Sequence, residues 1–135
     1  MSNNISSKWQ SYSPYILSLL RIFAALVFMQ PGAMKLFGWP APLPNGITIS
    51  LFSQMGLAGV LEVFGGALLL VGLFTRPVAF ILSGEMAVAY FQGHFSHGFW
   101  TVVNHGEPAV LLCFIWLFIS AAGAGPWSID AMRRK

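Results

Sequence analysis

Long apolar segments separated by short polar ones constrain this chain more than any other feature. Four of them cover residues 16–37, 57–74, 77–93 and 108–123. Their lengths lie near or within the ~17 to 25 residues that a helix needs to cross the hydrocarbon of a bilayer. Only 8% of the residues are charged, against ~25% in ordinary soluble domains. The sequence therefore predicts an all-α integral membrane protein, in which residues 1–135 form a single domain built as a four-helix bundle.

The first connecting segment, GWPAPLPNGITISLFSQM (residues 38–55), is rich in proline and then amphipathic. We expect it to be an interfacial or re-entrant segment. Nothing before Ile16 resembles a cleaved signal peptide, so the first apolar segment is expected to remain as a span. Basic residues favour the cytoplasmic side of a membrane. One side has Lys8, Arg76, Arg133, Arg134 and Lys135, whereas only Lys35 lies near the other, which predicts that both termini are cytoplasmic.

Glu62 stands inside the second apolar segment, GVLEVFGGALLLVGLFTRP (residues 59–77). A carboxylate facing lipid is expensive, so it must be paired, protonated or turned toward a protected cavity. Small residues share its helical face at three- and four-residue steps: Ala58, Gly59, Gly65 and Gly66. Such faces let a neighbouring helix approach closely. Lys35, at a matching depth on the first segment, is therefore the predicted partner of Glu62.

Further polar residues follow the third apolar segment, in GHFSHGFWTVVNHGEP (residues 93–108). On that segment Tyr90 and His94 share one helical stripe, whereas Glu85 points away from it. The predicted depth places most of the polar residues toward the outer end of the bundle: Lys35, Glu62, Tyr90, His94, His97, Asn104, His105 and Glu107. Arg21 lies near the inner face instead, where its side chain is expected to reach the lipid headgroups.

Several stretches together resemble the DoxX family of small four-span bacterial membrane proteins. They are PGAMKLFGWP, LEVFGGALLLVGLFTRPVA, MAVAYFQGH, NHGEPAVLLCF and GAGPWSID, which begin at residues 31, 61, 86, 104 and 123. The resemblance implies location in the bacterial inner membrane. It marks as site residues Lys35, Glu62, Tyr90, His94, Asn104, Glu107, Ser128 and Asp130. Members of the family commonly carry His-Gly-x-Gln before the lysine. This chain has Pro31, Gly32 and Met34 at the positions of that His, Gly and Gln.

The family is linked to quinone oxidoreduction and redox stress, so the resemblance implies a redox-associated membrane subunit. It would bind a quinone-like or other small aromatic ligand in the outer half of the bundle. The ligand-binding or proton-handling candidates are Lys35, Glu62, Tyr90, His94, Asn104 and Glu107. The alternative is a non-enzymatic membrane scaffold or a transporter-like protein for a small solute, in which Lys35 and Glu62 fix helix packing. Catalytic residues cannot be assigned, and enzymatic activity stays open.

No motif for heme, flavin, nucleotide or iron–sulfur binding is present. Cys113 is the single cysteine and cannot form an intramolecular disulfide. Any electron transfer would therefore need a bound quinone, a bound heme or a redox partner protein. The expected partners are the lipid bilayer and, through the small-residue faces, further copies of the chain, but no nucleic acid.

A metal site is the least favoured interpretation of the histidine-rich loop. Nitrogen and oxygen ligands suited to zinc, copper or iron are offered by His94, His97, His105 and Glu107. Loop histidines at a membrane interface more often serve only as amphipathic residues. Glu107 directly precedes Pro108, and we expect it to complement the positive N-terminus of the following helix.

Overall fold

The computed structural model describes residues 3–134, which form helices and loops without any strand. The elements are α1 (Asn3–Gln10), α2 (Ser13–Phe37), α3 (Gln54–Val60), a π-helical segment (Leu61–Gly65), α4 (Gly66–Val71), α5 (Thr75–Gly93), α6 (Thr101–Asn104), α7 (Glu107–Ala122) and α8 (Ile129–Arg133). Helices thus occupy all four apolar segments. The short helices α1, α6 and α8 were not predicted from the sequence.

Helix boundaries follow the local sequence. Pro14 lies in the first turn of α2, where its missing N–H costs no hydrogen bond. Gly38 ends the same helix in the left-handed conformation, with φ of 66°, which glycine adopts without steric cost. The Ser53 hydroxyl accepts a hydrogen bond from the Gly56 N–H and caps α3. Gly72 ends α4 with φ of 72°, and a tight turn then leads into α5.

Helix α2 packs along the continuous helix formed by α3, the π-helical segment and α4, and α5 packs most extensively on α7. The two pairs meet in a core of fully buried side chains that includes Leu69, Leu82 and Ile119. Phe28 of α2 and Trp116 of α7 form an edge-to-face pair there, with ring centroids 5.5 Å apart. The core therefore joins all four long helical stretches.

The outward faces of these helices are apolar. Phe23, Phe64, Phe80 and Phe114 lie one on each long helical stretch, and each is more than half exposed. Large exposed apolar surfaces of this kind mark contact with a membrane or a partner protein. Two helical stretches, Asn4–Phe37 and Gln54–Val71, are long and apolar enough to cross a bilayer, and Glu107–Ala122 is apolar but shorter.

The two ends of the molecule differ. One end, here called the loop end, contains residues 38–53 and 94–106. Residues 38–53 are irregular apart from a 3-10 turn at Pro44–Gly46. The opposite end, here called the turn end, contains the 72–74 turn and residues 123–134. Arg76, Arg133 and Arg134 line one surface cavity at the turn end, whereas Lys35 lies in the last turn of α2 at the loop end.

Candidate functional site

Lys35 and Glu62 form an ion pair between α2 and the π-helical segment. The Lys35 Nζ donates hydrogen bonds to both carboxylate oxygens of Glu62, at 3.0 and 2.8 Å. The Glu62 side chain is 2% exposed and that of Lys35 is 15% exposed. The pairing that the sequence predicts is therefore present, and it satisfies the buried carboxylate with two charge-assisted hydrogen bonds.

The backbone around Glu62 brings the two helices unusually close. A Cβ atom placed on Gly32 of α2 would lie 2.6 Å from the Glu62 Cβ and 3.0 Å from the Gly59 carbonyl oxygen. A Cβ on Gly66 would lie 2.4 Å from the Met29 Cγ. Only glycine fits at such contacts, so the small-residue face predicted beside Glu62 does pack against a neighbouring helix.

Glu62 also lies in a π-helical segment, Leu61–Gly65. A π-helical turn inserts one extra residue into an α-helix and changes the direction in which nearby side chains project. Such turns are rare and occur frequently at functional sites. The buried acid and the helix distortion thus coincide in one turn of the chain.

A cavity of about 600 Å³ lies between α3, the π-helical segment and α5. Its polar lining residues are Lys35, Gln54, Glu62, Glu85, Gln92 and His94, and the others are aliphatic side chains or glycines. This volume and this mixture of apolar walls with few polar groups are typical of sites for small molecules. His94 provides the single aromatic ring among the described lining residues.

Glu85 enters the site although no pattern in the sequence predicts that it lies there. It lines the cavity together with Ala89 and Gln92, which share its face of α5. Tyr90, on the neighbouring face, is absent from the described lining. The rotation of α5 about its own axis therefore turns the Glu85 face, and not the Tyr90 face, toward Glu62.

A hydrogen bond spans the loop end of the cavity, and half-exposed apolar residues border its side. The Gln54 Nε2 donates a hydrogen bond of 2.5 Å to the Gln92 Oε1, which joins the start of α3 to the end of α5. Leu57, Ile81 and Val88 line the cavity and are about half exposed, at 58%, 57% and 48%. The opening therefore lies between α3 and α5, on the apolar side of the bundle.

Tyr90, His94 and Asn104 meet in a second cluster that organises the loop after α5. Asn104 is 3% exposed, and its side-chain nitrogen donates to the Tyr90 hydroxyl and to the Gly98 carbonyl, at 3.1 and 2.9 Å. Its side-chain oxygen accepts from the Gly106 N–H at 2.8 Å. The His94 Nδ1 lies 3.0 Å from the backbone carbonyl oxygen of Asn104. Because a carbonyl oxygen can only accept, the Nδ1 is the donor. His94 thus connects this cluster to the cavity.

The remaining loop candidates are dispersed on the surface. His97, His105 and Glu107 are exposed, and Glu107 lies in the first turn of α7, where a carboxylate complements the helix dipole. Within residues 3–134, no three His, Cys, Asp or Glu side chains lie close enough to hold a metal ion together.

Comparisons with known proteins show the family. The DoxX family model matches residues 16–95, which include Lys35, Glu62 and Glu85. The chain belongs to the DoxX family. An "Uncharacterized protein" of Haemophilus influenzae is 39% identical to this DoxX protein over 124 residues, which cover 90% of the chain and 92% of the relative. An "Uncharacterized membrane protein" of Mycobacterium tuberculosis is 29% identical over 135 residues, with 86% of the chain and 80% of the relative covered. No solved structure matches.

The DoxX protein is thus a membrane protein, and its turn end contains a polar network that sequence reasoning missed. Arg21 is fully buried, so the expectation that it reaches the lipid headgroups is wrong. Its guanidinium donates to the backbone carbonyls of Leu69 (2.8 Å), Ala124 and Trp127 (2.6 Å). These carbonyls become available where helices end, and this non-local arrangement leaves no signal near Arg21 in the sequence.

Asp130, which the family resemblance marks, caps α5 of the DoxX protein from the C-terminal segment. Its two carboxylate oxygens accept hydrogen bonds from the N–H groups of Phe74 and Thr75, both at 2.9 Å. Partial burial opposes ionisation, but these N–H groups and the charge of Arg133 outweigh it, so the pKa of Asp130 lies below its ordinary value. Ser128, marked by the same resemblance, caps α8 through its hydroxyl. Both residues therefore have clear structural roles at the turn end.

Proposed function

We propose that this DoxX protein is a four-span membrane protein that binds a small amphiphile of the quinone type in the cavity between α3 and α5. The observation that carries the proposal is the cavity itself, of about 600 Å³, with an ion pair at its polar part and apolar residues at its mouth. A quinone head would contact the polar part, and its tail would leave through the lateral opening.

The four-span arrangement is supported by the exposed apolar faces of all four long helical stretches. Helix α7 has 16 residues and a length of about 24 Å at 1.5 Å per residue, which is short for the ~30 Å hydrocarbon core. Its extensive packing against α5 supports a position within the same layer as the longer helices. The clustering of Arg76, Arg133 and Arg134 at the turn end supports cytoplasmic termini in the bacterial inner membrane.

The lateral opening favours a ligand that partitions into lipid. The apolar residues Leu57, Ile81 and Val88 border the side of the cavity between α3 and α5. A water-soluble solute would gain nothing from contact with this apolar rim. A quinone with a hydrocarbon tail already lies in the membrane and can enter directly.

The chemistry available to a bound head group is hydrogen bonding and charge stabilisation. An ammonium group has three N–H donors, and two of those on Lys35 are used by Glu62, so one remains for a ligand oxygen. His94 provides its Nε2, since its Nδ1 is bound to Asn104. These groups can orient a head group, and any redox role requires an electron partner of a separate chain.

A non-enzymatic scaffold is the second candidate function. The contact between Gly32 and Glu62 and the full mutual pairing of Lys35 with Glu62 favour it, because both would serve helix packing alone. In that case the cavity would be filled by lipid chains without selectivity.

Equilibrium binding of a decyl-substituted benzoquinone to protein in lipid nanodiscs tests the proposal, with empty nanodiscs as the measure of partitioning. Gly84 lines the cavity, and a Cβ there meets no atom within 4 Å, so Gly84→Phe should fill the cavity without disturbing the backbone. We expect at least tenfold weaker binding in Gly84→Phe and unchanged binding in Leu111→Phe, which adds the same ring on the outer face of α7. If the quinone bound to all three proteins equals the amount that partitions into empty nanodiscs, the proposal is refuted and the scaffold function remains.

A further inference from the structure

Glu85 is a second acid in the same cavity as Glu62. Its side chain is partly buried, and it lines the cavity close enough to Glu62 for the two carboxyl groups to interact. The Glu85 Oε1 is completely buried and has no donor among the described residues. Two ionised carboxylates cannot hydrogen-bond to each other, because neither has a proton to donate. The contact is therefore unfavourable unless one of the two acids carries a proton.

Charge balance in the cavity leads to the same point. The titratable groups that line it are Lys35 from α2, Glu62 from the π-helical segment, and Glu85 and His94 from α5. Lys35 and Glu62 neutralise each other through two hydrogen bonds. Glu85 would then leave one uncompensated negative charge at a site bordered by apolar residues, where an unpaired charge is costly. One positive charge is missing.

We propose that Glu62 and Glu85 hold a single proton between them in front of Lys35, so that the cavity contains a one-proton exchange site. The proton supplies the missing positive charge and also the missing donor, since a protonated carboxyl can donate to its ionised neighbour. Carboxyl pairs that share one proton in this way titrate as a unit. The arrangement does not depend on the proposed quinone ligand.

The position of the proton determines what the site can do to a bound molecule. It lies beside the polar part of a cavity that opens laterally, so any head group that enters meets an exchangeable proton next to the Lys35 ammonium. A neutral head group can accept a hydrogen bond and leave the proton in place. A head group with one positive charge can replace the proton, because it restores the same charge balance.

A small inorganic cation is the competing way to supply the missing charge. Sodium bound between the two carboxylates would also neutralise Glu85, and oxygen ligands suit such a hard cation. The two cases differ in one observable, because only the proton produces a carboxyl group with a C=O stretch separate from that of a carboxylate.

Infrared spectroscopy at neutral pH tests this directly when the protein is in an alkyl maltoside detergent, which has no carbonyl group of its own. The chain has only four Asp and Glu residues, so the spectrum of protonated carboxyl groups is simple. We expect one such band, with the downshift in D₂O that an exchangeable proton gives. The band should disappear in Glu85→Gln and also in Glu62→Gln, where Lys35 is free to pair with the remaining ionised acid. It should persist in Glu107→Gln, which removes an exposed carboxylate outside the cavity.

Absence of the band in the parent protein would overturn the inference, and so would a band that survives in both cavity variants. The first result needs no variant, so it holds even if a substitution prevents folding. If the band is absent and sodium raises the melting temperature of the parent but not of Glu85→Gln, the cation case is correct instead. Loss of quinone binding with the band intact would refute the proposed ligand and leave the proton site standing.

Discussion

Replacing Lys35 by methionine should destabilise the protein more than replacing Glu62 by glutamine. Methionine keeps the length of the lysine stem but removes the charge, and it leaves Glu62, whose side chain is 2% exposed, without its two hydrogen bonds. Breaking a buried ion pair from one side costs about 3 to 5 kcal/mol. We expect the free energy of unfolding to fall by that amount in Lys35→Met.

Glu62→Gln should cost less, because the lysine keeps a carboxyl neighbour. Glu85 lines the same cavity and can pair with Lys35 once Glu62 is neutral. The expected loss is that of one hydrogen bond to a charged group, about 1.5 to 3 kcal/mol. The double variant Lys35→Met/Glu62→Gln contains no stranded charge from this pair, so it should be more stable than Lys35→Met alone, with a coupling energy of about 2 kcal/mol or more.

Reversible unfolding in SDS, followed by tryptophan fluorescence, measures all four proteins. Trp116 is fully buried against Phe28 and reports on the core. Lys8→Met on the exposed helix α1 is the matched control and should change stability by less than about 0.5 kcal/mol. A loss below about 1 kcal/mol in Lys35→Met, or a double variant whose loss equals the sum of the two singles, would show that the pair is not coupled as the geometry requires.

Three further substitutions, one of them with a matched control, test other contacts. Gly32→Ala should lower the free energy of unfolding by about 1 to 3 kcal/mol through overpacking, because its Cβ would lie 2.6 Å from the Glu62 Cβ. The control Gly84→Ala meets open space and should raise the free energy of unfolding by up to about 1 kcal/mol. Equal thermal stabilities of the two variants would contradict the close packing at Gly32. Asp130→Asn should cost about 1 kcal/mol of helix capping. The pKa of Asp130 is lowered, so its contribution to the stability of the parent is complete above the ordinary carboxyl range near pH ~4 and is lost as the pH falls through the lowered pKa. If the free energies of unfolding of parent and variant changed in parallel with pH, the cap would be refuted. Asn104→Ala removes three side-chain hydrogen bonds and should speed amide hydrogen exchange in residues 98–106; unchanged exchange would show that this cluster does not hold the loop.

The elements with strong local signals were predictable. The four apolar segments became helices because hydropathy and flanking glycine or proline residues are encoded within each segment. The Lys35–Glu62 pair could be predicted because depth and small-residue spacing leave a buried acid with one suitable partner. Both inferences need only one or two helices at a time.

The role of Glu85 could not be predicted, because it depends on the rotation of α5 about its axis. Packing against α7 sets that rotation, and both candidate faces of α5 contain small and polar residues. The prediction for Arg21 was wrong for a similar reason, since its partners are backbone carbonyls more than 45 residues away along the chain. Backbone partners leave no signature in side-chain patterns.

The cap that Asp130 places on α5 has a consequence for how the protein is made. During synthesis the turn at residues 72–74 leaves the ribosome some 55 residues before Asp130 does. Until then the first N–H groups of α5 lack this acceptor, and Arg21 lacks the carbonyls of Ala124 and Trp127. The turn end of the bundle can therefore form its native contacts only after the last long helix has been translated. Residues 124–130 then complete the fold at this end by accepting these hydrogen bonds.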